Sequence, residues 1–310
     1  MDILIRKKDI SEYSNYKTPA SAAYFFEVCS ENDIDNIIPI KNWALEHKIP
    51  LLFVSSWTNM LFAFDNFPWI IIKNSLSWWT YTWTQKILET YSSESIWDIA
   101  ESLEKDYRQD IWHRFIGLPG SIAGAIYGNA GCFWLETESN FLDCRVLDLE
   151  NGQRKILSKW DMKFWYRSSL LKQEKKYYII SARFDFSQKI EKYASDVDNI
   201  YFREHMQPKW NSCWSFFKNP KVDRDIFLKM NPSLIAWCPK NISAGYLIEQ
   251  VSLKGHHIGG AYMSELHANF LMHDGQGNYK DLLQMIQLVQ EKVQSQFWII
   301  LEPEVQIIYP

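Results

Sequence analysis

The stretch that most narrows what this chain can become is a strand–helix–strand unit near its start. Ala22 to Cys29 is aromatic and β-branched, which predicts a strand. Asp33 to His47 carries Ile34, Ile37, Ile38, Trp43, Ala44 and Leu45 near helical spacing, with Asn32 or Asp33 available as a cap. Ile49 to Val54 is a short apolar run, hence a buried strand. A turn follows at once: Ser55, Ser56, Trp57, Thr58 and Asn59. Small polar residues just behind a buried strand are where backbone N–H groups can cradle a phosphate.

The rest of the chain also mixes the two periodicities. Strand-like runs occupy 69–73, 80–84, 141–149, 177–186 and 299–308. Ser95 to Tyr107 is amphipathic, with Ile96, Ile99, Ala100 and Leu103 on one face. A helix starts at Ala244, and the clearest one runs from Tyr279 to Val293, with Leu282, Leu283, Ile286, Val289 and Val293 on one side. Residues 187–201 are charged and read as a linker containing a helix. The expected organisation is therefore α+β, with one domain over 1–190 and a second over 200–309, in keeping with a length of 310 residues.

Composition excludes several classes of function. Hydrophobic residues at 47% and charged residues at 23% are ordinary for a folded soluble protein. A formal charge of −4 and no run of Lys or Arg give no field for nucleic acid. No stretch approaches the ~20 apolar residues that span a membrane, and the N-terminus lacks the pattern of a signal peptide. Five scattered cysteines without a CxxC pair indicate neither a zinc site nor a disulfide framework, so a reducing cytoplasm fits best. His256, His257 and His267 lack metal-ligand spacing, so no metal is expected.

Four segments carry chemistry. Ser215, Lys218 and Asn219 put a hydroxyl, an ammonium and a carboxamide within five residues, beside aromatics able to exclude water. Such a hydroxyl can donate a proton to a carbanion, although Ser, Lys, Asn and Pro are also ordinary turn residues. Gly117 to Gly131 is the richest in glycine. In it, Pro119, Gly120 and Ser121 can end a turn and open a short helix whose N-terminus favours an anion, or the small residues can serve tight packing. Arg167 beside Tyr166, Ser168 and Ser169 can grip a carboxylate or form a surface ion pair. Glu304 is either a solvated edge carboxylate or a buried acid with a raised pKa.

Taken in order, these segments resemble the UDP-N-acetylenolpyruvoylglucosamine reductase family, also called UDP-N-acetylmuramate dehydrogenase. The resemblance runs from Ala22 to Ile308. It rests on the turn 55–61, Gly117–Gly131 with Ala123 in a glycine place, Tyr166–Ser169, Trp214–Pro220, Ala244–Glu249, Leu253–Ala261, Ser264–Phe270 and Leu301–Val305. The resemblance implies an FAD-binding domain of the vanillyl-alcohol-oxidase (PCMH) type plus a C-terminal α+β substrate-binding domain, and a cytoplasmic, monomeric protein. It implies NADPH-dependent reduction, through non-covalent FAD, of the enolpyruvyl group of UDP-N-acetylglucosamine-enolpyruvate to UDP-N-acetylmuramate for peptidoglycan synthesis. Ser215 matches the proton donor, and Arg167 and Glu304 match the pair around the substrate carboxylate. Tyr166, Lys218, Asn219 and His267 fall on the substrate side. Ser55, Ser56, Trp57, Thr58, Asn59, Gly117, Pro119, Gly120, Ser121 and Gly124 fall on the FAD side. No sizeable insertion lies between Ser169 and Arg203, as in the shorter subtype without a substrate-clamping loop. Two other readings remain: a nucleotide-binding paralogue without catalysis, and another flavin oxidase of the superfamily. Retention of Ser215, Arg167 and Glu304 together argues against decay, and an oxidase of small alcohols would need neither the Lys218–Asn219 pair nor Glu304.

One departure is systematic. The chain has 15 Trp and 12 Gly, where the usual ~7% share would give roughly 22 Gly. Trp57, Trp112, Trp134, Trp214 and Trp298 stand where the family pattern has glycine. Trp69, Trp78, Trp79, Trp83, Trp165, Trp210 and Trp237 fall in turn-like contexts, whereas Trp43 and Trp97 fit helical patterns. A gene in which UGA specifies glycine predicts this pattern. It also predicts poor FAD binding by protein made with tryptophan at these sites.

Overall fold

The computed structural model describes residues 3–55, 59–188, 196–208, 211–236 and 238–310. The chain forms two compact units. One comprises Met1–Asp9, Ser21–Thr58 and Asn66–Arg203; the other comprises Ile10–Ala20, Asn59–Asp65 and Glu204–Pro310.

In the first unit, the strand–helix–strand pattern becomes part of a four-stranded sheet. Its order is Ile5–Asp9, Ser21–Val28, Asn66–Asn74, Leu51–Val54. Asn66–Asn74 lies between the two strands of the early unit and pairs parallel with both. The connecting helix turns Ile37, Ile40 and Ala44 onto Val28, Ile70 and Ile72, all buried. The single helix expected over 33–47 is two, Glu31–Ile34 and Ile37–Glu46. Ser30, not Asn32 or Asp33, caps the first, and the Asp33 carboxylate accepts from Ser30 N at 2.8 Å. Pro39 accounts for the break. It has no N–H and is tolerated in a first turn, so the second helix begins two residues before it.

A second sheet of five antiparallel strands runs Arg154–Ser158, Phe141–Asp148, Tyr177–Asp185, Ile87–Tyr91, Trp79–Thr82. Its strands alternate between two cores. Leu147, Tyr178 and Ile180 join the core under the first sheet. Val146, Ile179 and Ala182 pack with the helices Ile96–Tyr107 and Ile122–Gly128. Trp112 belongs to this second core. It is fully buried against Phe115, Phe184 and Phe186, and its indole N–H donates to Asn140 Oδ1 at 3.2 Å. The glycine expected at 112 is therefore not required by this backbone. Position 112 has no positive φ, and the ring fills core space.

The second unit is built on the helix Tyr279–Phe297, which Asn278 caps in a capping box with Asp281. Leu282, Met285, Ile286, Val289, Val293 and Phe297 are buried along one stripe. Each such side chain contributes roughly 1.5–3 kcal/mol when removed from water. The stripe faces a core shared with the helix Ala244–Gln250 and the three-stranded antiparallel sheet His257–Ile258, Ala261–Met263, Leu271–His273. The closing strand expected over 299–308 is shorter, Gln306–Ile308, because Pro303 cannot donate to a ladder. It pairs parallel with Met60–Phe62. That pairing draws Asn59–Asp65 into this unit, with Leu61 and Tyr16 fully buried in its core.

Among the described residues, no helix is long and apolar enough to cross a membrane, and no cluster of His, Cys, Asp and Glu could hold a metal.

Candidate active site

In the second unit, Ser215 opens a short extended segment held on both sides. On one side Ser215 bridges Phe270, and Phe216 N donates to Asn269 O at 2.8 Å. The Asn269 side chain, almost fully buried, accepts from Phe217 N (3.0 Å) and donates to Phe217 O (2.8 Å). A carboxamide matches a backbone peptide group in this way because it carries one acceptor and one donor face. On the other side Phe217 bridges Pro303, Glu304 N donates to Phe216 O (2.7 Å), and Lys218 N donates to Glu302 O (2.9 Å). The segments bearing Ser215 and Glu304 are therefore neighbours, and both residues are partly exposed. Phe216 and Phe217, fully buried, anchor the segment from below.

The other residues of this unit are placed as follows. Lys218 Nζ pairs with Glu302 at 3.1 Å in an exposed ion pair. Asn219 Oδ1 accepts from Ala244 N (3.0 Å) at the start of the helix Ala244–Gln250. His267 Nδ1 accepts from Asn269 N (3.2 Å), and its ring packs on Phe270. Burial lowers the His267 pKa, so the ring is neutral with its proton on Nε2. Asn59, expected on the FAD side, falls within this unit. Its side chain donates to Glu304 O (3.3 Å), and its own carbonyl accepts from Gln306 N (3.0 Å).

In the first unit, Arg167 sits in a tight turn closed by paired bonds between Trp165 and Ser168, with φ +55. Its Nη2 donates to Gly131 O (2.9 Å), and its guanidinium lies over the Tyr166 ring. The turn is tied to the glycine-rich segment twice more. Ser169 Oγ donates to Tyr127 O (2.8 Å), and Asn129 Nδ2 donates to Trp165 O (3.3 Å).

The glycine-rich segment itself departs from one expectation. The first-turn donors of the helix Ile122–Gly128 are already used: Ile122 N on Glu94 O, Ala123 N on Ser92 O, and Gly124 N on Ser121 Oγ. The helix end is therefore not the anion cradle. The loop before it fits that role better. Gly117 and Gly120 take φ +81 and +136 around Pro119; Leu118 N already donates to Phe115 O (2.9 Å) and Pro119 has no N–H, so the donors this loop can offer an anion are the N–H groups of Gly117, Gly120 and Ser121. Ser55, at the end of the strand Leu51–Val54, adds a buried hydroxyl with no hydrogen-bond partner among the described residues. An orphan donor of this kind is what a bound phosphate or ribose would satisfy. Ser56, Trp57 and Thr58 lie outside the described residues.

Sequence reasoning missed Arg203. It lies just past the charged stretch 187–201, in the helix Asp196–Met206, and is 8% exposed. Its guanidinium donates to Ile116 O, Arg114 O (2.8 Å) and Cys132 Sγ (3.0 Å), and lies over Phe133. Its side chain passes 3.2 Å from where a Cβ on Gly117 would be. Arg203 thus fixes the carbonyls just ahead of the Gly117–Ser121 loop. The apolar neighbours Ile200, Tyr201 and Phe202 were the available signal that this helix is not fully solvated.

A family model for the C-terminal domain of UDP-N-acetylenolpyruvoylglucosamine reductase matches residues 207–308. Reductases of that name from Acaryochloris marina (27% identical, 96% of this chain and 91% of the relative) and Chloroflexus aggregans (28%, 96% and 95%) match over nearly the whole length. The chain is thus similar along almost its whole length to UDP-N-acetylenolpyruvoylglucosamine reductases, and its C-terminal part matches the model of that family's C-terminal domain. The reductase from Lactococcus lactis is 35% identical over 195 residues, 62% of this chain and 58% of the relative. The crystal structure of the Thermus caldophilus reductase shares the fold, with a TM-score of 0.73 at 20% identity over 98% of this chain and 99% of that one. The α+β architecture expected for both units is the architecture of this family.

Proposed function

We infer that the protein reduces the enolpyruvyl group of UDP-N-acetylglucosamine-enolpyruvate to UDP-N-acetylmuramate, using NADPH and non-covalent FAD, in the supply of peptidoglycan precursors. The observation that carries this reading is the likeness to reductases of that name along almost the whole chain, not along one domain.

FAD, when bound, supplies the reducing equivalents drawn from NADPH. The Ser55 hydroxyl and the N–H groups of Gly117, Gly120 and Ser121 are the donors suited to its phosphates. The remaining chemistry falls to side chains. Reduction of an enol ether beside a carboxylate leaves negative charge on the carbon next to that carboxylate. Arg167, whose turn is anchored to Gly131, is suited to hold the carboxylate by paired N–H donors. Ser215 is suited to deliver the proton, because the strand carrying it is fixed on both sides and it needs no rearrangement to be in place. Glu304, on the adjacent segment, is the second group toward the developing charge.

Lys218, Asn219, Tyr166 and His267 serve the nucleotide sugar. The Lys218–Glu302 pair is exposed and worth under about 1 kcal/mol, so the ammonium can exchange it for a phosphate. Asn219 spends its oxygen on Ala244 N, which leaves its N–H₂ group for a ligand. Neutral His267 can offer its Nε2–H as a donor.

The test is NADPH oxidation with and without UDP-N-acetylglucosamine-enolpyruvate. Substrate-dependent oxidation yielding UDP-N-acetylmuramate is expected. Ser215→Ala should slow turnover roughly 10²–10⁴-fold while leaving reduction of bound flavin by NADPH unchanged. NADPH consumption indifferent to the substrate, in flavin-loaded protein, would refute the reading.

A further inference from the structure

The backbone sorts the tryptophans into two kinds. Trp134, Trp214 and Trp298 have φ values of +65, +66 and +60. They are three of the twelve described tryptophans, whereas one phenylalanine among 18 and none of the described tyrosines take positive φ. A side chain in this left-handed region presses its Cβ on the following carbonyl oxygen, at a cost of roughly 1–2 kcal/mol. A bulky ring is tolerated there when its burial offsets the strain. Two of these rings offer little offset: Trp134 is 78% exposed and Trp298 is 81% exposed.

Each site is also a turn of a kind that glycine fills. Trp298 follows the helix Tyr279–Phe297 with φ +60 and ψ +24, and its N–H donates to Gln294 O at 2.9 Å. That is the left-handed helix end at which a residue without Cβ is preferred. Phe133 and Trp134 form the two-residue loop between Gly131–Cys132 and Leu135–Glu136, both with positive φ. Hairpin loops with this sign pattern take glycine at the second position. Trp214 turns the chain immediately before Ser215, with its ring edge-on to Phe270. Trp43 is the contrasting kind. It lies inside the helix Ile37–Glu46 and packs on Tyr24 and His47.

We propose that in its own cell the protein carries glycine at 134, 214 and 298, each specified by a UGA codon read as glycine, and that Trp43 is tryptophan specified by UGG. The proposal does not depend on the reaction the protein catalyses. Among the nine described tryptophans in the turn-like group, these three are the ones at which the backbone favours a residue without Cβ. It also accounts for part of the glycine shortage, raising the count from 12 to 15 against the roughly 22 of the usual share.

Peptides of the protein isolated from its native cells, read by mass spectrometry beside the gene's codons, decide the matter. Glycine at 134, 214 and 298 with UGA at each, and tryptophan with UGG at 43, are expected. Tryptophan at any of the three sites in native peptides overturns the proposal. A stability measurement tests the geometric basis separately, on recombinant protein that has tryptophan at all three. W134G and W298G should each raise the folded-to-unfolded ratio roughly fivefold to thirtyfold. A fall in that ratio at either site would show that the ring is favoured there, against the proposal.

Discussion

Asn269→Ala isolates the interaction that holds the Ser215 segment in place. The Asn269 side chain makes two hydrogen bonds to the backbone of Phe217, and both residues are almost wholly removed from water. Truncation leaves the Phe217 N–H and C=O without these partners. An unsatisfied buried polar group costs about 1–3 kcal/mol. Water entering the vacated carboxamide space recovers part of this, so we expect a net loss of about 2–4 kcal/mol in this unit. Two compact units can unfold in separate transitions. The global urea midpoint should therefore be read beside hydrogen exchange at the Phe217 amide, which should quicken by at least roughly thirtyfold. Asn269→Asp sharpens the test. At neutral pH its carboxylate faces the Phe217 carbonyl and is destabilising. As the pH falls through the carboxylate range, the protonated acid regains a donor and stability returns. An alanine variant within about 0.5 kcal/mol of the parent, with unchanged exchange at Phe217, would refute the view that this side chain fixes the segment.

Two further expectations concern stability. A Cβ on Gly260 would lie 2.5 Å from the Gly277 Cα and 2.6 Å from Gly277 N, backbone atoms that cannot swing aside, whereas nothing lies within 4 Å of one on Gly128. Thermal unfolding should therefore show Gly260→Ala losing several kcal/mol, and Gly128→Ala, in a helix, neutral or gaining up to about 1 kcal/mol. Burial depresses the folded pKa of His267 below its unfolded value near 6.5. The unfolded chain then binds more protons below that pH. The His267 contribution is present in full above about 6.5 and is lost as the pH falls through the depressed folded value. His267→Gln should flatten that part of the stability–pH curve, and an unchanged curve would show that the ring is not held neutral.

The sequence by itself determined whatever depends on neighbours along the chain. Periodicity gave the helices Ile96–Tyr107 and Tyr279–Phe297 and the strands on either side of the early helix, because burial of one face fixes the spacing of apolar residues. Ordered motifs gave the resemblance to the reductases, since Ser215, Lys218 and Asn219 sit in one short run and Tyr166 and Arg167 in another. Tertiary structure decided what depends on distant partners. Asn59 reads locally as part of a phosphate turn, and its bond to Glu304 O arises from the parallel pairing of Met60–Phe62 with Gln306–Ile308, segments far apart in the chain. Arg203 carried no local signal of a role, and three acceptors near the glycine loop hold it buried. The donors at the start of Ile122–Gly128 looked open, and the carbonyls of Ser92 and Glu94 take two of them. Hydrogen-bond capacity is written in residue types, but the partner that uses it is set by chain segments brought together only on folding.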